Sequence, residues 1–240
     1  MHRFYVPQDL NTDVLEVSGD EAAHMLRVLR LTVGDRVSLF DGDGQEVIAE
    51  ITGTRKHTAR LRVRESLPRV SAERPAITLV TAVPKSDRFR SLVEKVTELG
   101  VQRLIPVRTE RSVVHPGDGK LEKMQAASIA ACKQCQRNDL LQIQDVLDWT
   151  EMLRQTARLP KLIAHPGGSP MGKLLPSFNR EPHVVLIVGP EGGLTEGEVE
   201  LARAAGGNVV QLGQLILRIE TAALSMVAAI RLHTVPPSET

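Results

Sequence analysis

Five short aliphatic runs constrain this chain most: Ile77 to Val83, Leu104 to Val107, Lys161 to Ala164, Val184 to Val188 and Val209 to Leu212. Each has the length of a strand and little apolar–polar alternation, as expected of strands buried on both faces. Helical periodicity fills the gaps. Phe89, Leu92, Val93, Val96 and Leu99 recur at helical spacing, with Ser86 or Asp87 placed to cap the start and Gly100 to end it. Met124 to Arg137 and Glu220 to Leu232 read as helices too. Strands interleaved with helices predict an α/β domain built on a mainly parallel sheet.

The first seventy-two residues follow other rules. Arg36 to Phe40 and Glu46 to Ile51 are strand-like and flank Asp41-Gly-Asp-Gly44, a hairpin signal. Glu21 to Leu29 reads as a short helix with Asp20 or Ser18 near its cap. Short strands joined by tight turns predict a small β-barrel over residues 1–72. The polar, proline-bearing stretch from Ser66 to Pro75 separates it from a second domain, residues 73–240.

Composition narrows the function classes. With 240 residues, a net charge of +1, 42% apolar and 25% charged residues, the chain matches an ordinary globular protein. Aromatics are only 2%, so Leu, Val, Ile and Ala must build the cores. No apolar run nears the roughly 20 residues of a membrane helix. The opening Met1-His2-Arg3-Phe4-Tyr5-Val6-Pro7 has no apolar signal core, and two cysteines make no disulfide framework. The expectation is a cytoplasmic protein in a reducing compartment, with no membrane partner. Cys132-Lys-Gln-Cys135 lacks the second pair a zinc site would use, and the seven histidines show no ligand spacing. Packing is the expected role of these cysteines, and no metal site is predicted.

A near-zero net charge hides local bias. Arg60, Arg62 and Arg64 alternate with Leu61 and Val63, so a strand would set the three guanidinium groups on one face. Such a row suits phosphate contacts, although a solvated strand face reads the same way.

Two segments at predicted strand ends could carry chemistry. Gly189-Pro-Glu-Gly-Gly193 lies between a strand and a helix starting near Thr195. Glycines there let backbone approach a ligand. The pattern is neither GxGxxG nor a Walker loop, so bound phosphate is not expected. Leu212-Gly-Gln-Leu-Ile-Leu-Arg-Ile-Glu-Thr-Ala222 follows the last strand. Its apolar Leu215 to Leu217 suits the wall of a pocket for a flat heteroaromatic ring. Arg218, Glu220 and Thr221 add polar groups beside it.

The chain resembles the 16S ribosomal RNA uridine-N3 methyltransferases of the SPOUT superfamily, over essentially its whole length. The marks include His2-Arg3-Phe4-Tyr5-Val6, His24 with Leu26-Arg-Val-Leu-Arg30, Gly34-Asp35 and Phe40-Asp-Gly42. They continue with Lys85, Lys95-Val-Thr-Glu-Leu-Gly-Val101, Pro106, Thr109-Glu-Arg-Ser112, Gln134 and Arg137. Gly189 to Gly193, Glu198, Leu212-Gly213, Ile216-Leu-Arg218 and Glu220-Thr-Ala222 complete the series. Ile219 stands where the family usually has threonine, Leu141 where it has proline, and Cys132 at an often acidic position.

The resemblance implies an N-terminal PUA-like barrel for RNA and a SPOUT domain with a C-terminal trefoil knot. It implies a homodimer that uses S-adenosylmethionine to methylate N3 of a uridine in 16S ribosomal RNA of the small subunit. Ala164, His165, Gly189, Pro190, Glu191, Gly192, Gly193, Leu212, Gly213, Leu215, Ile216, Leu217, Thr221 and Ala222 are then the cofactor-binding candidates. Arg218 would orient the base, and Glu220 or Glu191 would take its proton; the sequence does not select between them. Arg3, Arg27, Arg30, Arg60, Arg62 and Arg64 in the first domain are the RNA-binding candidates, with Lys85, Arg88, Arg111 and Arg137 in the second. A SPOUT enzyme acting on another RNA or on a ribose 2′-hydroxyl, a non-catalytic RNA-binding protein and a dinucleotide enzyme are the competing readings. The last lacks GxGxxG after the first strand, where Pro84-Lys-Ser-Asp-Arg88 stands.

Overall fold

The computed structural model describes residues 1–69, 74–113 and 118–233, so the expected domain boundary at 72/73 lies outside the described residues. The chain forms two compact units, Met1–Ala72 with Cys132–Leu140, and Glu73–Ala131 with Leu141–Thr240. Residues 132–140 thus belong to the first unit, although they lie beyond the linker in sequence.

The first unit contains β1 (Arg3–Tyr5), β2 (Val14–Ser18), α1 (Gly19–Ala23), β3 (Arg36–Phe40), β4 (Glu46–Arg55) and β5 (Thr58–Ser66). A π-helical turn, His24–Val28, continues α1. The expected helix start at Ser18 holds by position, but its side chain makes no cap hydrogen bond. The sheet order is β1-β3-β4-β5-β2, so β1 and β2 are its two edges. Where the turn chemistry predicts a small β-barrel, the sheet is a half-barrel: among the described residues the three-residue β1 pairs with β3 alone. Phe4, Val37, Leu39, Val47, Ile51 and Leu61 form its fully buried core, on the inward positions of alternating strands.

The turn between β3 and β4 is held locally. The Asp41 carboxylate accepts the Asp43 and Gln45 amides at 2.7 and 3.0 Å. Arg3 ties residues 132–140 to this sheet. Its guanidinium donates to the Cys132 carbonyl at 3.0 Å and to the Asn138 side chain, pairs with Glu46 at 3.3 Å, and lies 4.8 Å from the Phe40 ring centre.

The second unit begins with β6 (Ala76–Thr81), α2 (Ser86–Glu98), β7 (Arg103–Arg108) and α3 (Asp118–Cys135), whose last turn passes into the first unit. It continues with β8 (Gln142–Ile143), β9 (Leu147–Asp148), α4 (Trp149–Gln155), β10 (Lys161–Pro170) and α5 (Met171–Leu174). It ends with β11 (His183–Val188), α6 (Glu196–Ala204), β12 (Gly207–Gln211) and α7 (Ile219–His233). The strands run parallel in the order β12-β10-β11-β6-β7-β8, with β9 also paired to β7. Lys85 rather than Ser86 or Asp87 holds the N-cap position of α2.

Period two explains the layers. On β11, Val184, Leu186 and Val188 pack with Phe89 and Val93 of α2 and Met226 and Val227 of α7. Val185 and Ile187 face the other way, onto the cluster holding Trp149 and Met152 of α4 and Val199 and Ala202 of α6. Both faces are covered, so the strands carry no polar side. At the amino end of β10, fully buried Lys161 donates to the carbonyls of Leu159, Ala205 and Ala157 at 2.8, 3.2 and 3.3 Å, and burial pushes its pKa down.

Candidate active site

Three adjacent strands, β12, β10 and β11, release their chains at the same edge of the sheet, where open parallel sheets bind ligands. Their turns enclose a cleft of about 220 Å³. Residues 189–193 form the first wall. Gly193, with φ of +74°, donates its amide to the Pro190 carbonyl at 2.8 Å and turns the chain toward α6. Thr195 caps that helix in a reciprocal box with Glu198, whose carboxylate accepts the Thr195 amide at 2.9 Å.

Buried Glu198 does more than cap. Its other oxygen accepts the Glu110 amide at 2.9 Å, while its carbonyl accepts the Trp149 indole N–H at 3.1 Å. The following residue, Arg111, donates to the Gly192 carbonyl at 2.9 Å.

Residues 212–217 form the second wall. Leu212 and Leu217 pack against the core, whereas Leu215 and Ile216 are 82% and 89% exposed. Further lining comes from Ala164 to Pro166 of β10, from Val188, Leu194 and Gln211 beside the two walls, and from Ile219 and Ala222 of α7. Ala164 and Ser169 both pair with Val210 of β12, so β10 bulges between them. Gly168 makes this possible, because a Cβ there would lie 2.5 Å from Val210 backbone.

Twelve cofactor-binding candidates line the cleft: Ala164, His165, Gly189, Pro190, Glu191, Gly193, Leu212, Gly213, Leu215, Ile216, Leu217 and Ala222. Gly192 is turned toward Arg111, and Thr221 is exposed on α7; neither is in the lining. Sequence reasoning missed Pro166, Val188, Leu194, Gln211, Gln214 and Ile219, each adjoining a residue it selected or lying within a selected segment. It also missed the supporting roles of Glu198, named there only as a mark of the resemblance, and of Gly168, because Glu110 and Val210 are far away in sequence.

The catalytic candidates divide by environment. Arg218 is exposed between two lining residues, and its carbonyl starts α7 by accepting the Ala222 amide at 2.9 Å. Glu191 is half exposed and lies 3.2 Å from Arg88. Glu220 is more enclosed, 3.8 Å from the same guanidinium through Oε1; its Oε2 is buried with no hydrogen-bond partner among the described residues.

The RNA-binding candidates also separate. Arg60, Arg62 and Arg64 are exposed on one face of β5, while Ala59 and Leu61 point into the core. Acidic residues share that face: Glu16 is opposite Arg60, Glu50 is opposite Arg62, and Arg64 pairs with Glu50 at 3.0 Å. The Arg64 hydrogen bond holds the Glu50 carboxyl below its usual range. Arg27 and Arg30 are exposed, with Arg27 3.1 Å from the His57 ring; Lys85 is exposed as well.

Two further candidates are engaged within the first unit. The Arg3 side chain is 9% exposed and spends its donors inside the first unit. Arg137, also 9% exposed at the side chain, pairs with Asp139 at 2.8 Å. Neither is presented for an outside phosphate. Arg88 and Arg111, RNA-binding candidates with them, contact cleft segments.

The lining chemistry is selective. Val188, Leu194, Leu212 and Leu217 offer apolar walls, and Glu191 supplies a carboxylate, while none of the described lining residues is lysine or arginine. A pyrophosphate would find no cationic partner there; an adenine ring joined to a cation would be well matched. Among the described residues, no cluster of three or more His, Cys, Asp or Glu is placed to hold a metal ion. Cys132 is buried with its Sγ 3.8 Å from the Asp139 carbonyl. No helix among the described residues is long and apolar enough to cross a membrane.

Comparison with known proteins matches residues 72–231 to an RNA methyltransferase domain family and residues 17–64 to an RNA methyltransferase PUA domain. The chain is 30% identical to the ribosomal RNA small subunit methyltransferase E of Bacillus subtilis, covering 98% of this chain and 97% of that one. It is 32% identical to the protein of that name from Synechocystis, over 90% of this chain and 72% of the relative. The crystal structure of the Neisseria gonorrhoeae enzyme of that name, bound to S-adenosylmethionine, superposes with a TM-score of 0.87 at 33% identity, covering 98% of each chain.

Proposed function

The chain belongs to the ribosomal RNA small subunit methyltransferase E family, and on that premise we propose that it methylates N3 of a uridine in 16S ribosomal RNA, with S-adenosylmethionine as donor. One observation carries the reading: the cleft at the ends of β10, β11 and β12 combines apolar walls, a carboxylate and no lining lysine or arginine. That set fits S-adenosylmethionine, whose sulfonium is a cation and whose adenine is a flat apolar surface.

When bound, the cofactor supplies an already activated methyl group. The protein's task is therefore positioning, which for well-oriented reactants is worth roughly 7–11 kcal/mol. Residues 189–193 and 212–217 would hold the donor between them. Arg218, exposed beside the lining, would orient the uracil or an adjoining phosphate. Glu220 is the better-placed base of the two carboxylates, because its buried Oε2 has an unused acceptor and Glu191 is half exposed. The proton on uridine N3 would pass to that oxygen. The target base must first leave its stack.

The remaining parts follow the family. The first unit would be the RNA-binding module, with Arg60, Arg62 and Arg64 making phosphate contacts that set position rather than sequence choice. The second would be the methyltransferase module, its chain closed in a trefoil knot around the β10–β12 region. The enzyme would work in the cytoplasm as a homodimer, and the exposed Leu215 and Ile216 would be covered by the second copy.

Labelled methyl transfer to 16S ribosomal RNA and to small subunits, followed by nucleoside analysis, tests the proposal. 3-Methyluridine at one position is the expected product. Another methylated nucleoside would move the substrate while keeping the chemistry. If calorimetry shows donor binding and no RNA is methylated, the catalytic reading fails.

A further inference from the structure

Arg88 is the third residue of α2, a helix that contributes nothing to the cleft lining. Its guanidinium nevertheless reaches two lining segments. One nitrogen lies 3.2 Å from Oε1 of Glu191 in the first wall, and the other lies 3.8 Å from Oε1 of Glu220, between lining residues Ile219 and Ala222. We propose that Arg88 is a positioning residue for the cofactor cleft: it clips residues 189–193 to the first turn of α7 and is not a phosphate contact.

The inference deepens the proposed function and rests on it. Three observations support the clip. The two contacts use opposite ends of a planar fork, a geometry that arginine provides and lysine does not. Two carboxylates around one guanidinium leave no positive charge to spare for a phosphate. The adjoining residue, Gly192, is braced by Arg111 from the turn after β7, so residues 189–193 are gripped from outside at consecutive positions. Without Arg88, Glu191 and Glu220 would face each other unscreened and residues 189–193 would part from the first turn of α7.

The test uses the full chain as Arg88→Met, Arg88→Lys and Glu191→Gln, with thermal melting as the folding control. Arg88 is about one third exposed, so the contact is screened, and a loss of roughly fivefold in S-adenosylmethionine affinity is the expected scale for Arg88→Met. The KM for the donor should rise in parallel, with kcat less affected. RNA affinity and its salt dependence should stay as in the wild type. Lysine should restore only part of the loss, because a point charge cannot span both carboxylates. Glu191→Gln removes both the clip and the lining carboxylate, so it should weaken donor binding more than Arg88→Met. Donor affinity within twofold of wild type in Arg88→Met would overturn the proposal. So would weaker RNA binding with a salt slope shallower by about one, the mark of a lost phosphate contact. If the wild type itself binds no donor, the proposed function fails together with the clip; normal binding by wild type and Arg88→Met alike removes the clip alone.

Discussion

The two walls of the cleft are built on opposite plans. The first, residues 189–193, is gripped from outside by Glu198 through the cap of α6, by Arg111 and by Arg88. The second, residues 212–217, is anchored at its base, where β12 lies against Gly168, and its middle stands in solvent with Leu215 and Ile216 exposed. A braced wall presents fixed backbone groups. An exposed apolar wall is one that a ligand or another chain can still cover.

The largest expected effect strikes the base of the second wall. Gly168→Ala puts a methyl 2.5 Å from Val210 backbone, which cannot yield as a side-chain tip would. A stability loss of about 3 kcal/mol is expected in denaturant titration, with donor binding lost in parallel. A variant as stable as the wild type would show that this base is not held as described.

Glu198→Ala comes next and strikes the first wall. It removes the Glu198 half of the capping box and leaves the Glu110 amide without its acceptor, for about 2 kcal/mol in the same titration. Donor affinity should fall because the turn over residues 189–195 loosens. Full affinity at reduced stability would mean that Glu198 serves the helix and not the wall.

Gly213→Ala should cost about 1 kcal/mol, since φ at this position is +137°, a conformation that side-chain-bearing residues avoid. Its effect on donor affinity should exceed its effect on stability. The smallest change in monomer stability, under about 0.5 kcal/mol, belongs to Ile216→Ser, because an exposed side chain loses little on truncation. Light scattering should nevertheless show weakened self-association. Unchanged association would remove residue 216 from the proposed dimer surface.

Local patterning made much of this legible. The unalternating runs in β6, β7, β10, β11 and β12 announce strands covered on both faces, and their interruption by helices announces parallel order. Residues 189–193 and 212–217 stood out because glycine at a strand end, and apolar residues in a loop, are locally unusual. Arg60, Arg62 and Arg64 were legible for the same reason, since period two alone puts them on one face.

Other features could not be read that way. Arg3 and Arg137 look like Arg60 in a sequence; only the neighbours at Glu46, Asn138, Asp139 and the Cys132 carbonyl turn them inward. The ladder stays open because β1 is short and has a single partner, a fact of pairing that turn residues do not encode.

By itself, then, the sequence determined the five buried strands, the hairpin after Arg36 and the longer helices, together with the small-residue turns and the apolar cleft wall, all of which depend on residues a few positions apart. Tertiary structure alone decided which charges are spent and which remain. Glu110 meets Glu198 and Arg88 meets Glu191 and Glu220 only when distant segments converge, and the energy of a charged group depends on the partners and solvent it finds there.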